Sequence, residues 1–437
     1  MPSAIIYIRY LSIVLIIGSF LSLTNLIRAQ ELPHDGRYFE RQAMTAYRAK
    51  DNAGFLSNLQ AALRLRPNHP RILYNLSVAY VLSGKPAEAI QSLGKVAAMG
   101  LDYPADQDDD LTTLKDSPDF KQVLAKFAEN RKPVGSGTAA FTLKEKGLIA
   151  EGLAYDPNSK SYFVSSVHQR KIIRVDAKGV ASDFSTPADG LWSVLGMKVD
   201  ASRQKLWVCT SAMPQMEGFD ATKDKNQAAL LEYDLRGKNP VKRHLLTDRI
   251  KPHVFGDLVI AKNGDVYVSD SGAPAIYLLR RGAHELETFV TNDQFVNLQG
   301  LAFAPGEKRM YVADYANGVF AIDLATKKVT LLATPPDATL LGLDGIYLVN
   351  NSLIAIQNGV SPQRIVRLTI DGDQIAKFGV LEANQPAHDD ITLGTVVGKD
   401  LFYIANGQWN LIGDDGKFAE PSKLKDVVIL RLPLTVH

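Results

Sequence analysis

The sequence predicts a mainly β protein: a six-bladed β-propeller preceded by a small all-α domain. Three observations lead there. A motif of one polar residue, a glycine, an apolar strand, a turn and a second apolar strand recurs six times, from Glu151, Leu195, Gly256, Gln299, Asp344 and Leu393, with looser matches at the third and sixth. The copies lie about forty to sixty residues apart, a period that marks a solenoid or a propeller, and strands alone carry it. Ahead of the repeats, apolar residues instead recur at three- and four-residue spacings, which is the helical period.

Taken from the start, Leu11 to Leu26 is almost wholly apolar, with Arg9 before it and Arg28-Ala29-Gln30 after it. This reads as an export leader, residues 1–29, cleaved after Ala29. A retained membrane anchor is the alternative, because the run approaches the roughly 17-residue minimum for a span. Cleavage predicts a periplasmic or secreted protein without an integral membrane segment. The chain has 49 Lys and Arg against 47 Asp and Glu, and losing Arg9 and Arg28 makes the mature protein neutral. Neutrality gives no electrostatic reason to expect nucleic acid or an anionic membrane as a partner. Cys209 is the only cysteine, which excludes an intrachain disulfide and a thiolate cluster. Its setting, LWVCT, reads as a strand with a buried thiol.

Residues 36–130 read as helical. In Arg71–Met99 two amphipathic helices are broken by Ser83-Gly84-Lys85-Pro86. The spacing resembles a tetratricopeptide repeat, with Leu73, Leu76, Ser77, Tyr80, Gly84, Ala89, Leu93 and Val96 at packing positions. An earlier unit with Ala43, Tyr47, Leu59 and Ala62 departs from the pattern by placing Phe55 where alanine is usual. Asp110–Phe127 reads as a capping helix. Such a domain offers a groove for a protein partner, or serves as a bracket on the propeller. Residues 131–138, rich in Gly and small polar residues, read as a linker, and the propeller spans 139–437. Ala139–Lys144 reads as a strand that completes the last blade and leaves the ring no open edge.

The strings EGLAYD, NGDVYVSDS, GLDGIY and IAIQNGVSPQRIVRL resemble the senescence marker protein, gluconolactonase and luciferin-regenerating enzyme superfamily of six-bladed propellers. The likeness runs from about Phe141 to the C-terminus. It implies a metal-dependent lactonase, with a divalent, calcium-like cation held in the central channel by a Glu, Asn residues and an Asp of the inner strands.

Strand geometry brings the corresponding residues of this chain to one mouth of the channel. The residue before each repeated glycine points there: Glu151, Leu195, Gly256, Gln299, Asp344 and Leu393. The turn after each second strand adds Ser166, His168, Thr210, Asp270, Asp314, Tyr315, Asn358 and Asn406. Two carboxylates facing one low-dielectric axis repel, which invites a cation or a proton. Glu151, Gln299 and Asp344 are the expected metal ligands, and an all-oxygen set favours calcium, with magnesium or manganese as alternatives. The third blade has Gly256-Asp257 where the superfamily places Asn before Asp, and strand alternation turns Asp257 away from that direction.

Glu151, Asp344 and His168 are therefore the expected catalytic residues, His168 as a general base. Asn358, Asn406, Asp314 and Met213 are the expected substrate contacts. Met213, Met216 and Phe219 lie on an insertion, Ser211–Gln227, that overhangs the mouth. His253 stands just before the third blade, and Asp389-Asp390 cap the loop before the sixth. Phosphate-binding glycine loops, serine nucleophile elbows and paired zinc histidines are absent from the sequence. Two functions remain: an exported metal-dependent hydrolase of lactones or related esters, or a non-catalytic propeller that binds a small ligand or a protein.

Overall fold

In the computed structural model, residues 35–237 and 242–434 are described. The leader expected at 1–29 lies outside them. The chain divides after Arg131 into two compact units.

The first unit contains helices α1 (Gly36–Arg48), α2 (Asn52–Leu65), α3 (Pro70–Leu82), α4 (Pro86–Ala98) and α5 (Pro118–Asn130), with a short 3-10 turn, Asp109–Leu114, before the last. Sequence sets their starts. Asp35, Asp51 and Ser117 accept hydrogen bonds from the backbone N–H groups of Tyr38, Gly54 and Phe120. Pro70, Pro86 and Pro118 open α3, α4 and α5, where a missing N–H costs nothing. Successive helices pack on one another through Ala43, Leu59, Ala62, Leu73, Leu76, Ala89, Leu93 and Val96, all buried. Phe55 is accommodated rather than excluded, buried with its ring 5.0 Å from that of Tyr47. Among the described residues no helix is long and apolar enough to cross a membrane.

Six four-stranded antiparallel sheets make up the second unit. The inner strands are Ala150–Asp156, Ser193–Asp200, Phe255–Ile260, Leu298–Phe303, Leu343–Val349 and Gly394–Val397, one for each of blades 1 to 6. Each contacts the next, and the sixth contacts the first, so the ring is closed. Blade 6 takes its outermost strand from the start of this unit: Thr138–Leu143 pairs with Val427–Pro433. The segment expected as a free linker is partly fixed to blade 5. Val134 bridges to Ala383, and the N–H of Gly137 donates to the Glu382 carboxylate at 2.5 Å. Between blades the core is apolar, as at blades 3 and 4, where Leu278, Phe289, Met310 and Phe320 are buried together. Each such side chain contributes about 1.5–3 kcal/mol.

One irregularity decides where the functional side chains go. The inner strands of blades 1 to 5 all slip register against their second strands, at Ala150/Leu153, Val194/Met197, Phe255/Leu258, Leu298/Leu301 and Leu343/Ile346. Each slip is a β-bulge holding two residues: Glu151-Gly152, Leu195-Gly196, Gly256-Asp257, Gln299-Gly300 and Asp344-Gly345. The repeated glycine is there because neighbouring inner strands approach closely. A Cβ on Gly152 would lie 2.2 Å from the carbonyl oxygen of Leu195 in the next blade.

Candidate active site in the propeller channel

Bulges re-aim side chains, so simple alternation fails where they occur. Asp257 shows this. It stands in the position that the other bulges give to glycine, and it points to a lysine of the neighbouring blade rather than away from the site. Lys198 Nζ donates to Asp257 Oδ1 at 2.7 Å, and the Asp257 side chain is only 1 % exposed. Its other oxygen, Oδ2, is buried without a hydrogen-bond partner.

Glu151 and Asp344 are also buried, each held by one neutral donor. Trp409 Nε1–H donates to Glu151 Oε2 at 2.7 Å, and Asn358 Nδ2–H donates to Asp344 Oδ2 at 2.8 Å. The same Asn358 amide donates to the Ile391 carbonyl at 2.8 Å, while its Oδ1 has no partner. Burial raises the Glu151 carboxyl well above the usual carboxylate range, the Asp344 charge adds to this, and the Trp409 bond opposes it. Asp344 is pushed up to about 7, by burial first; Asn358 opposes the shift, Asp257 adds to it and Lys198 reduces it. Through these influences Glu151, Asp257, Asp344 and Lys198 share one electrostatic environment. Three acidic groups and one ammonium ion in a low-dielectric space favour retention of a proton.

Tyr347 completes the wall. Its hydroxyl accepts from the Gly394 N–H at 2.6 Å, and a Cβ on Gly345 would come within 2.4 Å of that oxygen. Burial raises this phenol well above its ordinary value, with Asp257 contributing next.

The other expected site residues are placed differently. Gln299 has partners on its own and the preceding blade: its amide nitrogen donates to Asn297 Oδ1, and its Oε1 faces Gly256. Among the described residues no three His, Cys, Asp or Glu side chains are arranged to hold a metal ion. The oxygens have the right chemistry for a hard cation, but with Lys198 against Asp257 the expected set of Glu151, Gln299 and Asp344 does not fit one.

Asp314 is structural. Its carboxylate accepts four backbone N–H groups, from Val296, Asn297, Ala316 and Asn317, at 2.7–3.1 Å. Those four bonds fill its acceptor capacity. Asp270 serves the third blade in the same way, accepting from Val254, Gly272 and Ala273. Asn406 is likewise committed, donating to the Asp426 carbonyl at 2.9 Å and accepting from the Val428 N–H at 2.7 Å. Met213 is core, packed with Cys209, Trp207 and Leu230. His168 fixes the 211–227 insertion: its Nδ1 lies 2.7 Å from the Gln215 carbonyl oxygen, and its ring lies 4.6 Å from Phe418. Bonding to a carbonyl makes Nδ1 the protonated nitrogen. His253 is buried, with Nδ1 2.5 Å from Asp270 Oδ2.

No family model matches the sequence, and no curated protein matches it. Solved structures do. A gluconolactonase from Xanthomonas campestris is 17 % identical, with 69 % of this chain and 99 % of that one covered at a TM-score of 0.47. A luciferin-regenerating enzyme is 14 % identical, covering 69 % and 95 % at 0.47. The calcium-binding protein regucalcin from Agrobacterium tumefaciens is 15 % identical, covering 67 % and 93 % at 0.47. The structural neighbours thus include gluconolactonase-like six-bladed propellers, and a helical region precedes the propeller here.

Sequence reasoning missed two site residues outright. Trp409 sits on the loop that follows the second strand of blade 6, and it packs with Ile412 and Phe418 against the core of blades 2 and 3. The tight fit of Gly416, where a Cβ would lie 2.4 Å from the Pro214 carbonyl oxygen, lays this loop against the blade 2 insertion. Asp390 secures its base by accepting from the Asn410 N–H at 2.9 Å. Lys198 did carry a signal. Two residues beyond the second bulge position the blades read Ala154, Lys198, Val259, Ala302 and Tyr347, so a lysine on an inner strand is out of pattern.

Proposed function

We propose that the protein is a lactonase-type hydrolase, acting in the channel mouth on a small, hydroxyl-bearing cyclic ester or a related ester. The observation that carries this is the pair of buried carboxyls, Glu151 and Asp344, in different settings, with Asp344 pushed up to about 7. Groups whose environments set their proton affinities apart suit a base and an acid. Asp344 takes a proton from water as that water attacks the acyl carbon. The carbonyl electron pair moves to oxygen, then returns as the ring C–O bond breaks, and the leaving oxygen takes the proton of Glu151. Ring opening gives a hydroxy acid, and transfer of the proton from Asp344 back to Glu151 resets the pair. Buried Asp257 Oδ2 and Asn358 Oδ1 lack donors, which supports a substrate that brings hydroxyl groups.

A divalent cation, calcium above all, is the finer expectation that comes with the resemblance; those two oxygens favour it, while the placement of Lys198 opposes it. Export to the periplasm or medium, with the leader at 1–29 removed, remains part of the proposal. A ligand-binding propeller without turnover is the second reading, favoured by the Trp409 bond over Glu151. Assay of the purified protein against a panel of lactones and aryl esters from pH 5 to 9 separates the two. The hydrolase reading expects a rate that rises through about pH 7 as Asp344 ionises, falls at higher pH as Glu151 loses its proton, and drops at least about 100-fold in Glu151→Gln. Ligand binding without turnover of any substrate favours the second reading.

A further inference from the structure

Two departures from the repeat meet in the channel. Blade 3 places a carboxylate, Asp257, where the other bulges have glycine, and blade 2 places an ammonium group, Lys198, where its neighbours have alanine, valine or tyrosine. They are built for each other. The nitrogen lies 2.7 Å from Asp257 Oδ1, and Gly196, two residues before the lysine, leaves the room: a Cβ there would come within 2.6 Å of that same oxygen. Lys198 Nζ also lies 5.7 Å from the centre of the Tyr347 ring, on the inner strand that carries Asp344. At 21 % exposure its side chain is partly open, while that of its partner is almost closed.

A carboxylate as buried as Asp257 needs a cation beside it. The cation present is covalently fixed and already takes one of the two oxygens that a metal would use. A dication entering among Glu151, Asp257, Asp344 and Asn358 would have to displace the ammonium group or bear its repulsion at short range.

We infer that Lys198 is the resident cation of this site, standing in for a divalent metal, and that its ammonium group stabilises the oxyanion formed during ester hydrolysis. The ammonium keeps its protons throughout, donating hydrogen bonds as negative charge develops on the carbonyl oxygen. The role in turnover rests on the hydrolase reading above; the exclusion of a divalent cation does not.

Calorimetric titration of calcium, and separately of manganese, into the purified full chain tests this. The unmodified protein should give no saturable heat, and treatment with a chelator should leave its rate on a responsive lactone unchanged. Lys198→Met keeps the aliphatic stem and removes the charge. It should lower kcat/KM at least about 100-fold and should now bind calcium, with a rise in melting temperature, because Glu151, Asp257 and Asp344, which are not arranged around one ion beside Lys198, have lost their cation and can close on another. Lys198→Arg should retain more of the rate than Lys198→Met and should still bind no calcium. Saturable calcium binding by the unmodified protein overturns the inference, as does a rate lost on chelation and restored by metal. A folded Lys198→Met that binds no calcium also overturns it, since the lysine is then not what keeps the cation out. If Lys198→Met does not fold, titration of the unmodified protein and of Lys198→Arg decides the matter. If no form turns over any ester, the hydrolase reading fails while the calcium comparison still judges the cation.

Discussion

Asp314 ends the second strand of blade 4 and Asp344 begins the inner strand of blade 5, and both carboxylates are buried. Asp314 answers four backbone N–H groups, whereas the hydrogen bond recorded at Asp344 comes from a single side-chain amide. Burial alone does not mark a reactive carboxyl. Burial raises the proton affinity of both, but at Asp314 four backbone N–H groups oppose the rise and occupy the carboxylate as a structural latch, whereas Asp344 lies among other acids with few donors and keeps its chemistry available.

Removing the latch should have the largest effect. Asp314→Ala takes the acceptor from four backbone N–H groups, and the propeller should lose about 3 kcal/mol or more. Chemical denaturation measures this; a loss below about 1 kcal/mol would show that water replaces the carboxylate and that the distinction between the two aspartates is weaker than drawn.

A smaller effect sharpens the other side of the comparison. Trp409→Phe removes the one donor recorded on Glu151 and keeps an aromatic ring on the loop. The lost bond was lowering the proton affinity of Glu151, so the alkaline limb of the rate profile should move to higher pH, with a fall in kcat of about tenfold. An unmoved limb would assign that limb to another group.

Much of this was legible in the sequence. The six glycine-anchored copies specified the ring, and the apolar strand Ala139–Lys144 specified its closure, because period and alternation depend on local composition. Glu151 and Asp344 were found because they precede the repeated glycines. Asp257 was misdirected because a bulge cancels alternation and nothing in the local pattern announces one. Asp314 and Asn406 were read as ligand contacts because their type and position suit either role, and only the hydrogen bonds of the fold distinguish them. Trp409 lies far from Glu151 in sequence, on a loop without a period, so no spacing rule could bring the two together.

Asp344 is held for chemistry at a cost to stability on this reading, and turnover and melting of Asp344→Asn on one preparation decide it. The carboxyl has a raised proton affinity in the folded state, about 7 against an unfolded value near 4. The stability this contributes is fully present below about pH 4 and is lost as pH rises through about 7. Asparagine carries no charge and can still accept from Asn358. At pH 8 the variant should therefore be about 1–4 kcal/mol more stable relative to wild type than it is at pH 4, while its rate on a lactone falls at least about 100-fold. A variant that hydrolyses as fast as wild type, or that gains no stability relative to wild type between pH 4 and pH 8, would contradict this.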